Sequence, residues 1–324
     1  MAAKHLGPRA SRPHPIPCGR AIRGPKSALR AAWVVFGLLA ALARAETLTI
    51  ATYNLENYGS TNRMTEAGYR TDYPKPEPSK QALRAVIRAL GADILVVQEL
   101  GERPYLDELR RDLKSEGCEY AFVELAAAAD PDRHVAILSR RKFKSVTTHT
   151  DLEFKYFGGK EIVKRGLLEA TFETPGGDLT VFAVHLKSRF TDRADDPMSA
   201  IRRAAEATAI RDRILKRFPT PETARFLVLG DCNDGRTSRA LAFLQKRGKT
   251  AISMLLPVAD SRGETWTHSY RKEDTYSRVD HILVSRRLSN TVKDGAARIY
   301  DGDGVREASD HRPVFVVLNL STAP

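Results

Sequence analysis

The chain has 324 residues, of which 42% are hydrophobic and 28% are charged, and its formal net charge is +12. This length can bury a large core, and the composition is that of a soluble globular protein. No stretch reaches the roughly 20 consecutive apolar residues that a membrane span requires. The first 45 residues hold eight basic residues and no acid, which leaves +4 for the rest of the chain, so the total overstates any affinity for nucleic acid.

The first 45 residues have the features of an export signal. An apolar stretch over residues 31–43 follows Lys26 and Arg30, and it ends in a small-residue site, Ala-Arg-Ala, whose last residue is Ala45. We expect cleavage after Ala45 and export of the protein to the periplasm or the medium. An uncut leader that anchors the protein to a membrane is the alternative.

The cysteine content excludes two kinds of scaffold. Cys18 lies in the leader, so only Cys118 and Cys232 remain, which are too few for a disulfide framework. The sequence contains no Cys-x-x-Cys pair that would indicate zinc. A single bridge between Cys118 and Cys232 is left open.

Strand and helix patterns alternate from Glu46 onward. Runs rich in β-branched and aromatic residues predict strands at 48–55, 93–99, 120–125, 134–140, 164–173, 179–186, 225–231, 278–285 and 312–320. Helical spacing of apolar residues predicts helices at 79–91, 104–117, 198–217 and 238–248. Such mixing of βα units and hairpins, with no low-complexity linker, indicates one α/β domain.

The first predicted helix has the clearest apolar periodicity and capping residues. Leu83, Val86 and Ile87 recur at helical spacing, Ser79 is a plausible N-cap, and Gly91 stands just past the end. The Pro-rich segment before it, residues 72–80, is short and predicts a loop rather than a domain boundary.

Polar side chains recur where predicted strands end or begin. They are Asn54, Glu99, His185, Asp231, Asn233, Asp280, Asp310 and His311. Any one of them could be a capping or turn residue, as Asp310 could be after Ser309. Their joint recurrence favours a site instead, because α/β sheets bind ligands at strand ends.

These residue types suggest a chemistry. Carboxylate and amide oxygens suit a hard cation such as Mg²⁺, which uses few protein ligands and keeps waters and substrate phosphate. Imidazoles near such a cation can orient a phosphate or protonate a leaving oxygen, and a carboxylate can activate water. The set therefore favours metal-assisted hydrolysis of a phosphate ester.

Six motifs in order resemble the endonuclease/exonuclease/phosphatase superfamily, which has the deoxyribonuclease-I-like fold. They are TYNLEN, QE, VHLKS, GDCND, RVDHIL and SDHRPV, and the resemblance covers residues 46–321. It implies an α/β fold, a four-layer sandwich of two face-packed mixed β-sheets flanked by helices. It also implies divalent-metal-dependent hydrolysis of phosphodiesters or phosphomonoesters, with Mg²⁺ or Mn²⁺ as the cofactor.

The resemblance assigns metal binding to the first group of matched residues. Glu99 would be the principal metal ligand, with Asn54 and Asp310 close to the ion. Arg165, in the segment IVKRGLLEA, resembles the phosphate-binding arginine of the family, although a surface arginine is the alternative.

Catalytic roles fall on the remaining matched residues. Asp231 and Asn233 would orient the attacking water and the scissile phosphate. His311 would contact the phosphate and assist proton transfer while Asp280 orients it, and His185 would be the second imidazole on the phosphate.

Two departures from the family pattern stand out. Cys232 replaces the aromatic residue usual in the Gly-Asp-x-Asn motif, and we expect it to pack rather than react. The carboxylate partner of His185 is not evident, since Asp132 is the only nearby candidate in PDRHVAILSR. His134 in the same segment is interpreted as a structural or rim residue.

The sequence favours nucleic acid as the substrate and leaves alternatives. Phospholipid, sphingomyelin or inositol phosphate is the runner-up, because one fold serves all of these, and a non-catalytic binding module is a third hypothesis. A basic helix face favours a polyanion: Arg202, Arg203, Arg211, Lys216 and Arg217. No long exposed aromatic hairpin for membrane insertion is evident, and we expect a monomer with no stable protein partner.

Overall fold

The computed structural model describes residues 45–322 except Glu66 and Asp192. Apart from Ala45, the predicted export signal lies outside the described residues, so its cleavage stays a prediction. Within the described part of the chain, no helix is both long enough and apolar enough to cross a membrane.

Helices and strands alternate along the chain. The helices are α1 Glu77–Leu90, α2 Arg103–Ser115, α3 Ala200–Arg217, α4 Arg239–Gln245, α5 Arg286–Ser289 and α6 Val305–Ala308. The strands are β1 Ala45–Tyr58, β2 Ser60–Thr65, β3 Gly68–Pro74, β4 Ile94–Leu100, β5 Phe122–Leu125, β6 His134–Ser139, β7 Ser145–His149, β8 Glu153–Tyr156, β9 Gly159–Ile162, β10 Leu167–Phe172, β11 Leu179–His185, β12 Phe226–Asp231, β13 Lys246–Arg247, β14 Thr250–Ala251, β15 Ser253–Leu255, β16 Val258–Ala259, β17 His268–Tyr270, β18 Thr275–Ser277, β19 Asp280–Ser285, β20 Ala297–Ile299 and β21 Val314–Ser321.

Two mixed sheets form the centre of the fold. The first has the strand order β16-β20-β21-β1-β4-β6-β5, and the second has the order β15-β19-β12-β11-β10-β7. Residues such as Ile50, Val96, Leu168 and Leu229 pack together between the sheets. The predicted four-layer α/β sandwich is confirmed.

Helices cover the outer faces of both sheets. Leu83 and Ile87 of α1 and Leu109 of α2 pack on the first sheet in one apolar cluster. Ile210 of α3 and Leu241 of α4 pack on the second sheet in another. Each helix buries the apolar stripe that its 3.6-residue periodicity predicts.

Helix α1 shows where local signals succeed and fail. It ends at Gly91 as predicted, in the left-handed conformation with φ 62° that glycine adopts at little cost. It begins at Glu77 rather than after Ser79, because Pro78 fits the first turn, where its missing N–H has no helical partner.

Among the described residues, four two-stranded hairpins lie outside the two central sheets. The hairpin of β2 and β3 occupies residues that the sequence placed partly in a loop, and it exposes Met64, Tyr69 and Tyr73. The expectation that no exposed aromatic hairpin exists is therefore wrong. Both of its faces are largely exposed, so no apolar alternation marks the strands in the sequence.

Candidate active site at the ends of the two sheets

Three site residues form a row across the second sheet. His185 ends β11 and lies beside Asp231 at the end of parallel β12, and Asp231 lies opposite Asp280 at the start of antiparallel β19. All three are at most 1% exposed. The register of three strands thus brings together side chains that are far apart in sequence.

Gly230 allows the chain to reach this row. Its φ is 148°, and a Cβ at this position would lie 1.9 Å from the carbonyl oxygen of Val184 on the neighbouring strand. No side chain fits there, so the glycine of the Gly-Asp-x-Asn motif is required by the close approach of two backbones. Asp231 is positioned directly by this constraint.

The first sheet supplies Asn54 from β1 and Glu99 from β4. The Asn54 side-chain amide donates to Asp231 Oδ2 at 3.0 Å, and its Oδ1 accepts the Glu56 N–H at 3.0 Å. Glu99 Oε2 accepts the Asn57 N–H at 3.1 Å. The Asn54–Asp231 hydrogen bond therefore joins the two sheets at the site.

Backbone strain accompanies these residues. Glu56, Asn57, Glu99 and Asn233 all adopt positive φ, between 48° and 57°. Such conformations cost about 1–3 kcal/mol each and cluster at functional sites, where the surrounding structure enforces them. The positions with this strain are next to the predicted metal and phosphate contacts.

Asp231 is held by further hydrogen bonds from Asn233. The Asn233 N–H donates to Asp231 Oδ1 at 2.7 Å, and its side-chain amide donates to Asp231 Oδ2 at 3.2 Å and to the Leu186 carbonyl at 3.0 Å. Burial and the charge of Asp280 raise the pKa of Asp231 to about 7. A carboxyl with a pKa near neutrality is suited to accepting a proton from water.

His311 and Asp280 form a buried pair. The Nδ1 of His311 lies 2.8 Å from Asp280 Oδ2, which fixes the ring orientation. Burial alone would lower the pKa of His311, but the Asp280 carboxylate raises it well above the usual value. Ser309 holds the segment that carries Asp310 and His311, because its Oγ donates to the Asn54 carbonyl at 2.9 Å.

Asp310 lies at the more exposed end of the site. Its Oδ2 is 3.7 Å from His268 Nε2, and its Oδ1 is 4.0 Å from His311 Nε2. Burial would raise its pKa, yet the adjacent His268 imidazole and the charge of His311 lower it. The carboxylate is therefore held in its charged form.

His185 lies inside the site without a hydrogen bond. Its Nε2 is 3.6 Å from Asp231 Oδ2 and 3.9 Å from Glu99 Oε1, and within the described chain neither ring nitrogen has a hydrogen-bond partner. Burial and then the charge of Arg165 lower its pKa well below the usual value. A neutral imidazole with unsatisfied nitrogens is available to a ligand.

Arg165 is fixed next to His185 by a buried ion pair. Its Nε donates to Asp130 Oδ2 at 2.8 Å, and its Nη1 donates to the Leu186 carbonyl at 3.1 Å. Asp130 also accepts the Asp132 and Arg133 N–H groups. Arg165 is only 8% exposed, which favours a positioned site residue over an ordinary surface arginine.

Two clusters of acidic and imidazole side chains at the site could hold a metal ion, in addition to the predicted set of Asn54, Glu99 and Asp310. Among the described residues, groups of three with metal-binding geometry are His268, Asp310 and His311, and Asp231, Asp280 and His311. Glu99 instead faces His185. The oxygens of Asn54, Glu99 and Asp310 are nevertheless the donors that Mg²⁺ prefers.

Sequence reasoning missed three contributors to the site. Asp130 holds Arg165, whereas the predicted candidate Asp132 gives only its N–H to Asp130. His268 was also missed, because it begins the three-residue strand β17, which is too short to leave a pattern in the sequence. Ser309 was considered only as a turn residue. His134 is buried, with no hydrogen-bond partner in the described structure for either ring nitrogen, and its interpretation as a structural or rim residue stays a prediction.

The cysteines are structural. Cys232 is fully buried in the cluster between the second sheet and its helices, and burial raises its pKa well above the usual value. Cys118 is buried in the cluster on the first sheet, and both thiols are free. No bridge joins them.

The prediction that α3 presents a basic face to a polyanion is wrong, because most of its arginines form ion pairs with carboxylates of the protein. Arg203 is 2% exposed and donates to Asp234 and to the Lys187 carbonyl. Arg202 contacts Glu161 and Glu206. These side chains brace the segment after His185 and do not form a polyanion surface.

A four-layer sandwich with acidic and imidazole side chains gathered at one end of its two sheets is the architecture of deoxyribonuclease-I-like proteins. The chain belongs to the Endonuclease/Exonuclease/phosphatase family, whose model matches residues 51–311. No curated protein sequence matches it.

Solved structures of low sequence identity share the fold. Beta toxin from Staphylococcus aureus is 17% identical with a TM-score of 0.58, over 83% of this chain and 99% of that one. TDP2 from Caenorhabditis elegans is 14% identical with a TM-score of 0.55, over 84% and 97%. Sphingomyelinase C from Streptomyces griseocarneus is 15% identical with a TM-score of 0.55, over 85% and 100%.

Proposed function

We propose that the protein is a divalent-metal-dependent phosphodiesterase that hydrolyses nucleic acid by in-line attack of water. The arrangement around Asp231 carries the proposal. This buried carboxylate accepts hydrogen bonds from Asn54 and Asn233 and faces the imidazoles of His185 and His311. A carboxylate oriented on one side by amides and facing two imidazoles can position water and a phosphate together.

Glu99 and Asp310 would hold the metal, with the amide oxygen of Asn54 nearby. Their side chains are 19% and 30% exposed, so an ion and substrate oxygens can reach them. Mg²⁺ or Mn²⁺ bound there would neutralise charge on the phosphate. A beta toxin variant of the same fold has been solved with bound magnesium ions, which supports this choice.

The protein's own side chains then divide the work. Asp231 accepts a proton from the attacking water, and Asn233 orients the water and the phosphate. His311, oriented by Asp280, contacts the phosphate and provides a proton for the leaving oxygen. His185 and Arg165 donate to phosphate oxygens, where charge is concentrated during the displacement.

Nucleic acid is favoured by cations and an aromatic side chain at the border of the site. Arg189 contacts the Asn233 carbonyl at 3.4 Å, and the adjacent Phe190 is 82% exposed. Arg63 bridges the carbonyls of Asn57 and Gly59 next to Glu99. Cationic side chains bind phosphates, and an exposed ring beside them can stack on a base.

A phospholipid or sphingomyelin substrate is the second candidate, and one observation favours it. The hairpin of β2 and β3 projects beside Glu99 with Met64 and Tyr69 paired across its tip, 77% and 60% exposed. Apolar and aromatic side chains at a projecting tip can enter a membrane interface.

Metal dependence tests the proposal first. EDTA should abolish hydrolysis of bis(p-nitrophenyl) phosphate by the purified protein, and Mg²⁺ or Mn²⁺ should restore it. Glu99→Gln should raise the metal concentration needed, because it removes a charged oxygen, while Glu173→Gln at an exposed position should not. Full activity in EDTA would refute the mechanism.

A salt titration tests the substrate. On duplex DNA, log KM should rise linearly with log salt, by about 0.9 for each phosphate contacted. Arg189→Glu should reduce that slope, and Lys216→Glu, on the exposed end of α3, should leave it unchanged. A flat titration together with turnover of sphingomyelin vesicles would favour the lipid alternative.

We also propose that the protein is exported as a monomer after cleavage at Ala45. The sequence of the leader supports this, since the apolar stretch and small-residue site have signal-peptide dimensions. N-terminal sequencing of the exported protein should begin at Glu46, and an intact leader in the membrane fraction would contradict it.

A further inference from the structure

A histidine outside the predicted catalytic set completes a group at the mouth of the site. His268 on β17, Asp310 and His311 each offer one ligand atom, and these atoms lie within 4.8 Å of one another. Hairpin β17–β18 is held in place there, because the Ser269 N–H donates to the Asp310 carbonyl at 2.9 Å. An isolated β-bridge also joins His268 to His311.

Both imidazoles present the same nitrogen to Asp310. His311 uses Nδ1 for its 2.8 Å contact with Asp280, and His268 Nδ1 lies 3.5 Å from Ser277 Oγ. The Nε2 atoms therefore face the carboxylate, at 4.0 Å for His311 and 3.7 Å for His268. Histidines that bind metals have their other nitrogen held in this way.

Two imidazole nitrogens and one Asp310 oxygen make a different donor set from the all-oxygen set of Glu99, Asn54 and Asp310, with which it shares Asp310. Imidazole suits Zn²⁺ and related transition metals, whereas Mg²⁺ prefers oxygen. Bonds of about 2.0–2.2 Å place ligand atoms of a tetrahedral Zn²⁺ about 3.4 Å apart. The three ligand atoms lie within 4.8 Å of one another and would move closer together on binding the ion. The His268 side chain is 24% exposed, which gives an ion access.

We propose that His268, Asp310 and His311 form a Zn²⁺ site that inhibits the enzyme. A Zn²⁺ ion on His311 Nε2 occupies the lone pair through which this imidazole would carry a proton, so the contact with the phosphate is lost. The binding site stands on the geometry alone, and the inhibition rests on the proposed function.

Calorimetric titration of Zn²⁺ into the full-length protein, with Mg²⁺ in excess, measures the site directly. His268→Ala should lower Zn²⁺ affinity by about tenfold or more, since even loss of a ligand's outer partner costs 10–100-fold. Added Zn²⁺ should lower the Mg²⁺-dependent turnover of wild type, whereas the turnover of the variant, measured relative to its own value without Zn²⁺, should not change. Substituted Co²⁺ should show the intense visible absorption of a tetrahedral site in wild type and not in the variant.

A matched histidine and a competing site provide the controls. His149→Gln changes a partly buried histidine that contacts Glu169 on the second sheet, and it should leave Zn²⁺ affinity unchanged. Equal Zn²⁺ affinity in wild type and His268→Ala would overturn the proposal. So would loss of Zn²⁺ binding in Glu99→Gln but not in His268→Ala, because the ion would then occupy the predicted magnesium side.

The two proposals fail separately. Protein that binds Zn²⁺ through His268 but hydrolyses no diester with any divalent metal would refute the phosphodiesterase and the inhibition, and leave the zinc site established. Protein that hydrolyses diesters with Mg²⁺ and shows no His268-dependent Zn²⁺ binding would refute only the zinc site.

Discussion

The two sheets contribute opposite kinds of environment to one site. The open side, formed by Glu99 and Asp310, has carboxylates that are 19% and 30% exposed. The buried side, formed by His185, Asp231 and Asp280, is almost closed to solvent, with side chains 1–2% exposed. The Asn54–Asp231 hydrogen bond connects them.

This difference separates binding from proton transfer. Solvent-accessible carboxylates can exchange ligands with solvent, which suits a metal that must admit substrate. Burial shifts the pKa values of acids and imidazoles towards values useful for catalysis. His185, Asp231 and Asp280 are positioned by the pairing of three adjacent strands. Substitutions at these residues should therefore lower turnover more than they weaken substrate binding.

Removing His311, which pairs with Asp280 of the buried side, should give the largest effect on turnover. His311→Ala should lower kcat by about 10²–10⁴-fold, the usual contribution of a positioned acid or base. His311 is 6% exposed and its ring pairs with the buried Asp280 carboxylate, so circular dichroism is needed to show that the variant is folded when its kcat is compared. His149→Gln should retain full turnover.

A loss of less than tenfold with an unchanged spectrum would show that His311 has no part in proton transfer. Asp280→Asn separates the orientation of His311 from its pKa. The amide keeps the contact at Nδ1 but lacks the charge that raises the pKa of His311. Its kcat should lie between those of wild type and His311→Ala.

Asp231 and Asn233 provide a comparison within one motif. Asp231→Asn should lower kcat by about tenfold or more beyond the loss in Asn233→Ala, because a carboxylate can accept a proton and an amide can only orient. Single-turnover rates at saturating Mg²⁺ would measure both. Equal losses would mean that Asp231 acts by positioning alone.

The sequence predicted the parts of the site that local patterns mark. Polar residues at the ends of apolar strands located Glu99, His185 and Asp231, and the register of the sheets brings the last two together. The two sheets and their helices were predictable for the same reason, since buried strands and amphipathic helices leave a clear periodicity.

Long-range pairing explains what the sequence could not predict. The sequence pattern predicts that Arg203 is an exposed cation on a basic helix. In the structure it pairs with the carboxylate of Asp234, which is 31 residues away in the chain. Asp130 holds Arg165 across 35 residues. Charge partners of this kind depend on the assembled fold, and no spacing rule along the chain reveals them.

The smallest predicted effect concerns stability, and it tests whether burial governs this region. His281 follows Asp280 on β19, is fully buried, and contacts the Asp234 carbonyl through Nε2 at 2.8 Å. Burial lowers its pKa to about 4, from an ordinary value of 6.5. Between these values the unfolded chain binds the proton more tightly, so His281 stabilises the fold above pH 6.5 and this contribution is lost as pH falls towards 4.

A shift of this size corresponds to a free energy on the order of 3 kcal/mol. His281→Asn does not titrate, so its free energy of unfolding should fall less between pH 6.5 and pH 4 than that of wild type. Asp231, whose pKa of about 7 is raised, acts with the opposite sign in this window, but it is present in both proteins and cancels in the difference. Urea unfolding at several pH values would measure that difference, and parallel profiles would show that His281 is not held neutral by burial.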